Sequence, residues 1–400
     1  MSDSVSTTAD ATPDEGAPLW AAIVSLSLGV FGLVTAEFLP ASLLTPIAND
    51  LAISDGAAGQ AVTATAVVGA IAAPTMAIIT RGVDRRFVMW SFALALVLSN
   101  LLAAAATGLV TLLIARVILG VALGGFWSMS AAMAMRLVPM RLLPRAMSII
   151  LTGVSIATVC AAPIGAYIGE LWGWRAAFII GAGVGAVALF AQMLTIPKLP
   201  PVGAPSLHTL FDLLKRPSLR VALFTVLLVI SGHFAGFTYV RPFLEQVPRL
   251  SIEAISLTLL AFGIGGFFGN FAGAFLVERS LKANMALGAL VIGLMAAALI
   301  AYGSAQSLAS AAVAVWGFAF GVLPVGFQTW TVRAAPDEAE GAGGLLIATF
   351  QVAIAGGAIL GGLLVDHFGA LGAISYCALA TFLGAVFVFA ISGKGAAPNS

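Results

Sequence analysis

Charge is the scarce ingredient of this chain. Lys, Arg, Asp and Glu together make up 9% of its 400 residues, against roughly 25% in ordinary soluble domains. That shortage excludes the two or three water-soluble domains that the length would otherwise allow. A formal net charge of +1 offers no basic surface to a nucleic-acid partner. Cysteine is nearly missing as well. Cys160 and Cys377 both lie in apolar runs, which leaves no disulfide framework and no metal-ligand spacing. Before Leu19 stand Asp3, Asp10, Asp14 and Glu15 but neither Lys nor Arg. A cleaved signal peptide starts basic, so the first apolar segment is expected to stay in the chain. No GxxxxGK[ST] loop is present, and no soluble stretch is large enough to hydrolyse ATP, which excludes a single-chain ATP-driven pump. A membrane-embedded enzyme would cluster its catalytic groups, yet His208, His233 and His367 are dispersed. The expectation is therefore not an enzyme, with neither metal nor cofactor.

What is present is apolar: 60% of residues are hydrophobic and the mean hydropathy is +1.08. Apolar segments fall at 19–44, 57–80, 87–106, 109–135, 146–169, 176–196, 219–244, 255–277, 283–303, 308–331, 342–365 and 370–392. Each is long enough to cross a bilayer, for which about 20 residues suffice. The fold class expected is an all-α integral membrane protein of twelve transmembrane helices. Of the 18 Lys and Arg, 14 follow even-numbered segments or lie in the tail, from Arg81, Arg85 and Arg86 through Arg136, Arg141 and Arg145 to Arg333 and Lys394. Arg175, Arg241 and Arg249 follow odd-numbered ones, and Arg116 lies inside the fourth. Positive charge marks the cytoplasmic side, so both termini are expected there.

The chain then divides into a cytoplasmic tail (1–18), a six-helix bundle (19–196), a cytoplasmic linker (197–218), a second bundle (219–392) and a tail (393–400). Pro197, Pro200, Pro201 and Pro205 open the linker as extended chain, and His208 to Arg216 are expected to form a short surface helix. The halves repeat one another. Gly120, Gly124, Arg136 and Pro139 recur as Gly317, Gly321, Arg333 and Pro336 at an offset of 197. Gly165, Glu170 and Gly173 recur as Gly361, Asp366 and Gly369 at 196. Pro40 and Pro46 pair with Pro242 and Pro248 at 202, which makes Tyr239 the counterpart of Glu37. Two parallel six-helix repeats are the plan of transporters that rock their halves around a midplane site.

Several motifs support a family resemblance. Leu112-x3-Arg116-x3-Gly120 resembles a fourth-helix motif with an intramembrane arginine. Gly153 through Ala162-Pro163-Ile164-Gly165 resembles an antiporter motif of the fifth helix, in which Pro163 is a candidate hinge. Gly173-Trp174-Arg175-Ala176-Ala177-Phe178 matches the usual entry to the sixth. The whole chain thus resembles the drug:proton antiporter group of the major facilitator superfamily. Its cytoplasmic loop departs from the usual GxxxDRxGRR, because Asp84-Arg85-Arg86 fits only the last three positions. A closer resemblance is to bacterial purine ribonucleoside efflux pumps. It rests on Glu37-Phe-Leu-Pro40-Ala-Ser-Leu-Leu-Thr45-Pro46, Gly124-Gly-Phe-Trp127-Ser-Met-Ser, Phe237-Thr-Tyr239-x-Arg241-Pro242 and Val322-x-Pro324-Val-Gly326. The resemblance implies a secondary exporter in a bacterial inner membrane. It would exchange purine ribonucleosides such as inosine and guanosine, or purine analogues, for protons, working as a monomer in the lipid bilayer. The runner-up is a multidrug or sugar exporter on the same plan.

Glu37 stands in an otherwise apolar run, where an ionised carboxylate is costly. It lies seven residues before the end of the first segment at Leu44, and Arg116 lies seven after the start of the fourth at Leu109. At 1.5 Å per residue both sit about 10 Å from the outer surface, where opposite charges stabilise each other. Glu37 is the candidate proton carrier and Arg116 its modulator; a buried pair serving packing is the plainer reading. His233 could titrate near neutral pH, although a lone histidine in a span is more often a hydrogen-bonded core or cavity residue. Trp127 is too deep to anchor at an interface and could stack on a planar base; Trp20, Trp172, Trp174 and Trp330 read as anchors. Gln60, Asn100, Gln192, Asn270, Gln328 and Gln351 are amides that could bind substrate or bridge helices. Of these, Gln60, Asn270, Gln328 and Gln351 join Trp127 and His233 as tentative cavity residues. Glu170 and Asp366 read as helix-end charges.

Overall fold

A computed structural model of the chain describes residues 18–139, 142–201 and 212–391. Residues 1–17 and 392–400, and the segment 202–211 with the first four residues of the helix expected over 208–216, lie outside the described residues; Asp212 and Leu213 are helical. Among the described residues, twelve helices are long and apolar enough to cross a membrane. They are span 1 (Trp20–Ser42), span 2 (Asp55–Ile79), span 3 (Arg85–Ala104), span 4 (Leu109–Leu137), span 5 (Leu143–Trp172) and span 6 (Trp174–Thr195). The second set is span 7 (Pro217–Thr238), span 8 (Ile252–Arg279), span 9 (Leu281–Tyr302), span 10 (Gln306–Ala334), span 11 (Ala339–Phe368) and span 12 (Ala370–Ile391). In hydrocarbon every backbone N–H and C=O needs an internal partner, and an unbroken helix supplies one.

Helix starts follow ordinary capping chemistry. The side chains of Asp84, Ser251 and Ser280 accept the backbone N–H of Arg86, Ala254 and Ala283, satisfying donors that a helix start leaves free. These polar caps carry the helices two or three residues beyond the apolar runs. Gly173 at φ +81° and Gly369 at φ +71° make the abrupt turns from span 5 to span 6 and from span 11 to span 12. Glycine takes that left-handed conformation without strain.

The first span ends within two residues of its expected boundary at Leu44, whereas the segment expected as one helix over 219–244 is broken. Span 1 stops at Leu43 (φ −111°, ψ 10°), and a short helix follows over Leu44–Asp50. Span 7 stops at Tyr239 (φ −110°, ψ 18°), followed by a short helix over Val240–Gln246. The two breaks share one backbone conformation at an offset of 196. They correct the register of the first repeat block. Pro40 lies inside span 1 before its break, whereas Pro242 lies in the short helix after the other break. The two prolines are therefore not equivalents, and the counterpart of Glu37 is His233 rather than Tyr239.

Packing repeats in the same register. In the first half span 1 packs on spans 5 and 6, span 2 on span 4, and span 3 on spans 4 and 6. In the second half span 7 packs on spans 11 and 12, span 8 on span 10, and span 9 on spans 10 and 12. Glycines set the closeness of these contacts. A Cβ on Gly317 would fall 2.1 Å from the Phe262 carbonyl oxygen, and one on Gly321 2.1 Å from that of Gly266. Small residues of this kind drive helix association where lipid gives no hydrophobic force. Gly153 and Gly165 of the antiporter motif do the same work, resting on Ser27 and Ser42 of span 1. Pro163 lies buried inside an unbroken span 5. Two expected interface anchors are interior instead. Trp174 and Trp330 are 4% and 3% exposed, because Trp174 packs edge-on against Phe178 and donates to Asp50.

Candidate functional site

The halves touch along spans 2 and 11 and along spans 5 and 8, and among the described residues the hydrogen bonds between them lie at one end of the bundle. On the face carrying Arg175, Arg241 and Arg249, Thr45 donates to Glu245 at 2.6 Å. Arg241 bridges Glu245 at 2.7 Å and the Ser42 carbonyl. Asp366, at the end of span 11, accepts from Ser54 and from the Gly56 backbone N–H, both at 3.0 Å. The second half thus caps the start of span 2 with a carboxylate, where free N–H groups and the helix dipole favour negative charge. The ring of Tyr239 fills the space left by Gly59 of the first half and by Gly361 and Gly362 of the second.

Toward the other face, rich in Lys and Arg, spans 5 and 8 part. Spans 5 and 8 meet where Gly263 lies on the backbone of Val159. Beyond that point they border a cleft of ≈ 760 Å³ lined by Ser148, Thr152, Cys160, Phe267, Asn270 and Phe271, among others. The Asp84-Arg85-Arg86 loop contacts the linker on this face. Asp84 accepts from the Leu199 backbone, Arg85 is buried and donates to Thr80, and Arg86 pairs with Asp84.

Glu37 sits half-buried on span 1 where this span faces the second half. Its neighbour Phe38 stacks on Phe234 of span 7, with ring centres 6.5 Å apart and planes within 6°. At the corrected offset Phe38 and Phe234 are repeat equivalents, so their stack lies on the pseudo-twofold axis. Glu37 and His233 flank it, one from each half.

Arg116 is fully buried. Its guanidinium donates to the carbonyl of Ala36, beside Glu37, at 2.7 Å and to Thr65 of span 2 at 3.1 Å. The equal depth expected of Glu37 and Arg116 holds. The arginine bonds, however, to the backbone of span 1 and to span 2 rather than directly to the carboxylate, and its Nη1 has no hydrogen-bond partner.

His233 is 1% exposed. Its Nδ1 accepts a 3.0 Å bond from Trp316 Nε1. A tryptophan N–H can only donate, so Nδ1 is bare and the neutral ring carries its proton on Nε2. Phe320 stacks on the imidazole at 3.7 Å and 2°, and Phe234, Phe237 and Phe262 close around it. Sequence reasoning missed this aromatic group and Trp316, since aromatic residues in apolar spans give no contrast.

The amides separate by environment. Gln351 of span 11 is 5% exposed, crosses to the first half and lies against Gly69 and Glu37. Gln60 bonds weakly to its own helix at Gly56. Asn270 is exposed in the cleft between spans 5 and 8, and Gln328 is exposed on span 10. Asn100 and Gln192 bond to helix carbonyls, of Leu96 and Ser25. Trp127 is half-buried, edge-on to Phe126. Glu170 is exposed.

The model of the Major Facilitator Superfamily matches residues 26–344. A purine ribonucleoside efflux pump, NepI, of Salmonella typhimurium is 40% identical over 354 residues, spanning 88% of this chain and 89% of the relative. NepI of Escherichia coli O6:H1 is 41% identical over 352 residues, with the same coverage. Among solved structures, a D-xylose-proton symporter superposes with TM-score 0.75 at 17% identity, covering 96% of this chain and 98% of that one. A variant of the nucleoside transporter NupG gives 0.71 at 16%, covering 94% and 99%.

Proposed function

Because the chain belongs to the Major Facilitator Superfamily, we propose that it is a proton-coupled exporter of purine ribonucleosides that works by alternating access. The observation that carries the reading is Glu37, a half-buried carboxylate at the seam of the halves beside the pseudo-twofold stack. An ionised carboxylate at this depth is tolerated only with a partner, a proton or water. A proton taken from outside neutralises it and lets the empty carrier turn inward; release to the cytoplasm restores the charge. Arg116, fixed to the backbone next to Glu37, keeps the ionised form bearable without sealing it in a direct pair.

The arginine-rich face is assigned to the cytoplasm by the distribution of positive charge, in a bacterial inner membrane with both termini inside. The arrangement described is then the inward-facing one, closed outside by Glu245, Arg241 and Asp366. Purine ribonucleosides are assigned from the relatives, and the aromatic group around His233 suits a planar base. The same group favours one second reading, export of flat amphiphilic drugs.

The test is accumulation of labelled inosine, guanosine and a purine analogue in everted vesicles with an acid interior. Accumulation that collapses with the pH gradient is expected. Export of an unrelated amphiphile but none of the three would overturn the nucleoside assignment and leave the fold intact.

A further inference from the structure

The side chain of Gln351 belongs to the second half but is seated in the first. A Cβ placed on Gly69 would lie 2.7 Å from its Nε2 and 3.6 Å from its Cδ. On its other flank span 2 receives Gly124 against the Gly69 carbonyl. The seat is therefore made by the absence of a side chain at one position. The amide lies beside the Glu37 carboxylate as a candidate donor to it, although the contact falls short of a full hydrogen bond at the buried Nε2. A buried donor left so loosely paired is costly, and a carboxylate that draws closer when ionised relieves the cost.

We propose that Gln351 is a positioning residue through which the second half senses the charge on Glu37 and holds the empty, ionised carrier inward-facing. The inference rests on Glu37 as the proton site. An ionised carboxylate is a pure acceptor, whereas the protonated acid offers a donor in place of part of that capacity. Bonds to the ionised form are the stronger ones, so proton loss tightens the grip of span 11 on spans 1 and 2, and protonation loosens it. The charged neighbour acting on Glu37 is Arg116 of span 4. His233 of span 7, on the other side of the stack, has its Nδ1 occupied by Trp316. Once a proton has been delivered inward, the ionised carrier without cargo is held and cannot swing back. Nucleoside binding competes for the carboxylate and releases the amide. The proton gradient is then spent only when cargo leaves.

The test uses the full-length protein in proteoliposomes with an entrapped pH dye and an imposed gradient. Gln351→Met removes the donor at nearly constant volume, and Gly69→Ala evicts the amide while leaving it intact. Both variants are expected to raise proton influx without nucleoside about tenfold, within the usual range of coupling between sites. Inosine counterflow, which needs no net proton movement, reports that they fold. If both variants leak no more than wild type while inosine still drives proton movement in wild type, the proposal is overturned. A raised KM for counterflow without a leak would also overturn it, because Gln351 would then be a substrate ligand. Failure of the Glu37 reading itself shows separately, as a wild-type protein in which inosine moves no protons.

Discussion

A carboxylate and an arginine in apolar runs are visible in any reading of the sequence, because charge contrasts with its surroundings. Glu37 and Arg116 were legible for that reason, and their common depth followed from counting residues. The use of the guanidinium was not legible: its bonds to Ala36 and Thr65 depend on the rotation of spans 1, 2 and 4 about their axes. Arg116→Ala removes two bonds from a buried charged group, each worth roughly 1.5–3 kcal/mol. A loss of about 3 kcal/mol or more is expected, read as a lowered melting temperature in detergent. Glu37→Gln keeps the shape of the side chain and removes the titration. It is expected to retain inosine counterflow while gradient-driven accumulation falls to background. The amides make the opposite point. Gln351 and Asn270 look alike in sequence, yet one is buried between the halves and the other faces the cleft between spans 5 and 8.

Along the elements, the apolar runs revealed twelve spans and the end of the first near Leu44, but not the break at Tyr239, since apolar residues continue through it. The prolines misdirected the repeat register because Pro40 was matched to Pro242, whereas Pro46, in the short helix after the first break, is the proline that falls at the offset of 196 from Pro242. The glycines of spans 4 and 10 were better guides, because close backbone contact fixes their positions. Gly321→Ala would bring a Cβ to 2.1 Å from the Gly266 carbonyl oxygen. Overpacking of this kind costs typically about 1–3 kcal/mol, so a lower melting temperature and reduced transport are expected. Gly183, around which a Cβ meets nothing within 4 Å, is the control position; alanine there should leave both measurements near wild type.

At the scale of the whole molecule, the parallel repeat pointed to a rocking transporter, and the pairing of spans recurs in both halves. The closure between the halves was not legible, because its bonds join residues about 200 to 310 positions apart. Asp366→Ala removes the carboxylate capping span 2 and should shift the population outward. Spin labels at Thr107 and Ser304, exposed in loops of the two halves on the face of Arg175, Arg241 and Arg249, should report a longer distance.

On the opposite face, Arg216 donates to both carboxylate oxygens of Asp337 at 2.6 Å, and these bonds hold the Asp337 carboxyl down at about 2. A depressed carboxyl contributes fully above its unfolded value near 4 and loses its contribution only as pH falls toward 2. Titration from pH 8 to pH 5 should therefore leave this contact intact, and any conformational change over that range should persist in Asp337→Asn.

The proton coupling assigned to Glu37 is tested most directly by adding inosine to proteoliposomes at equal pH on both sides and following the internal pH. Inosine-evoked proton movement opposite to the nucleoside is expected in wild type and none in Glu37→Gln. Nucleoside flux without proton movement in wild type, or identical proton movement in the variant, would contradict it.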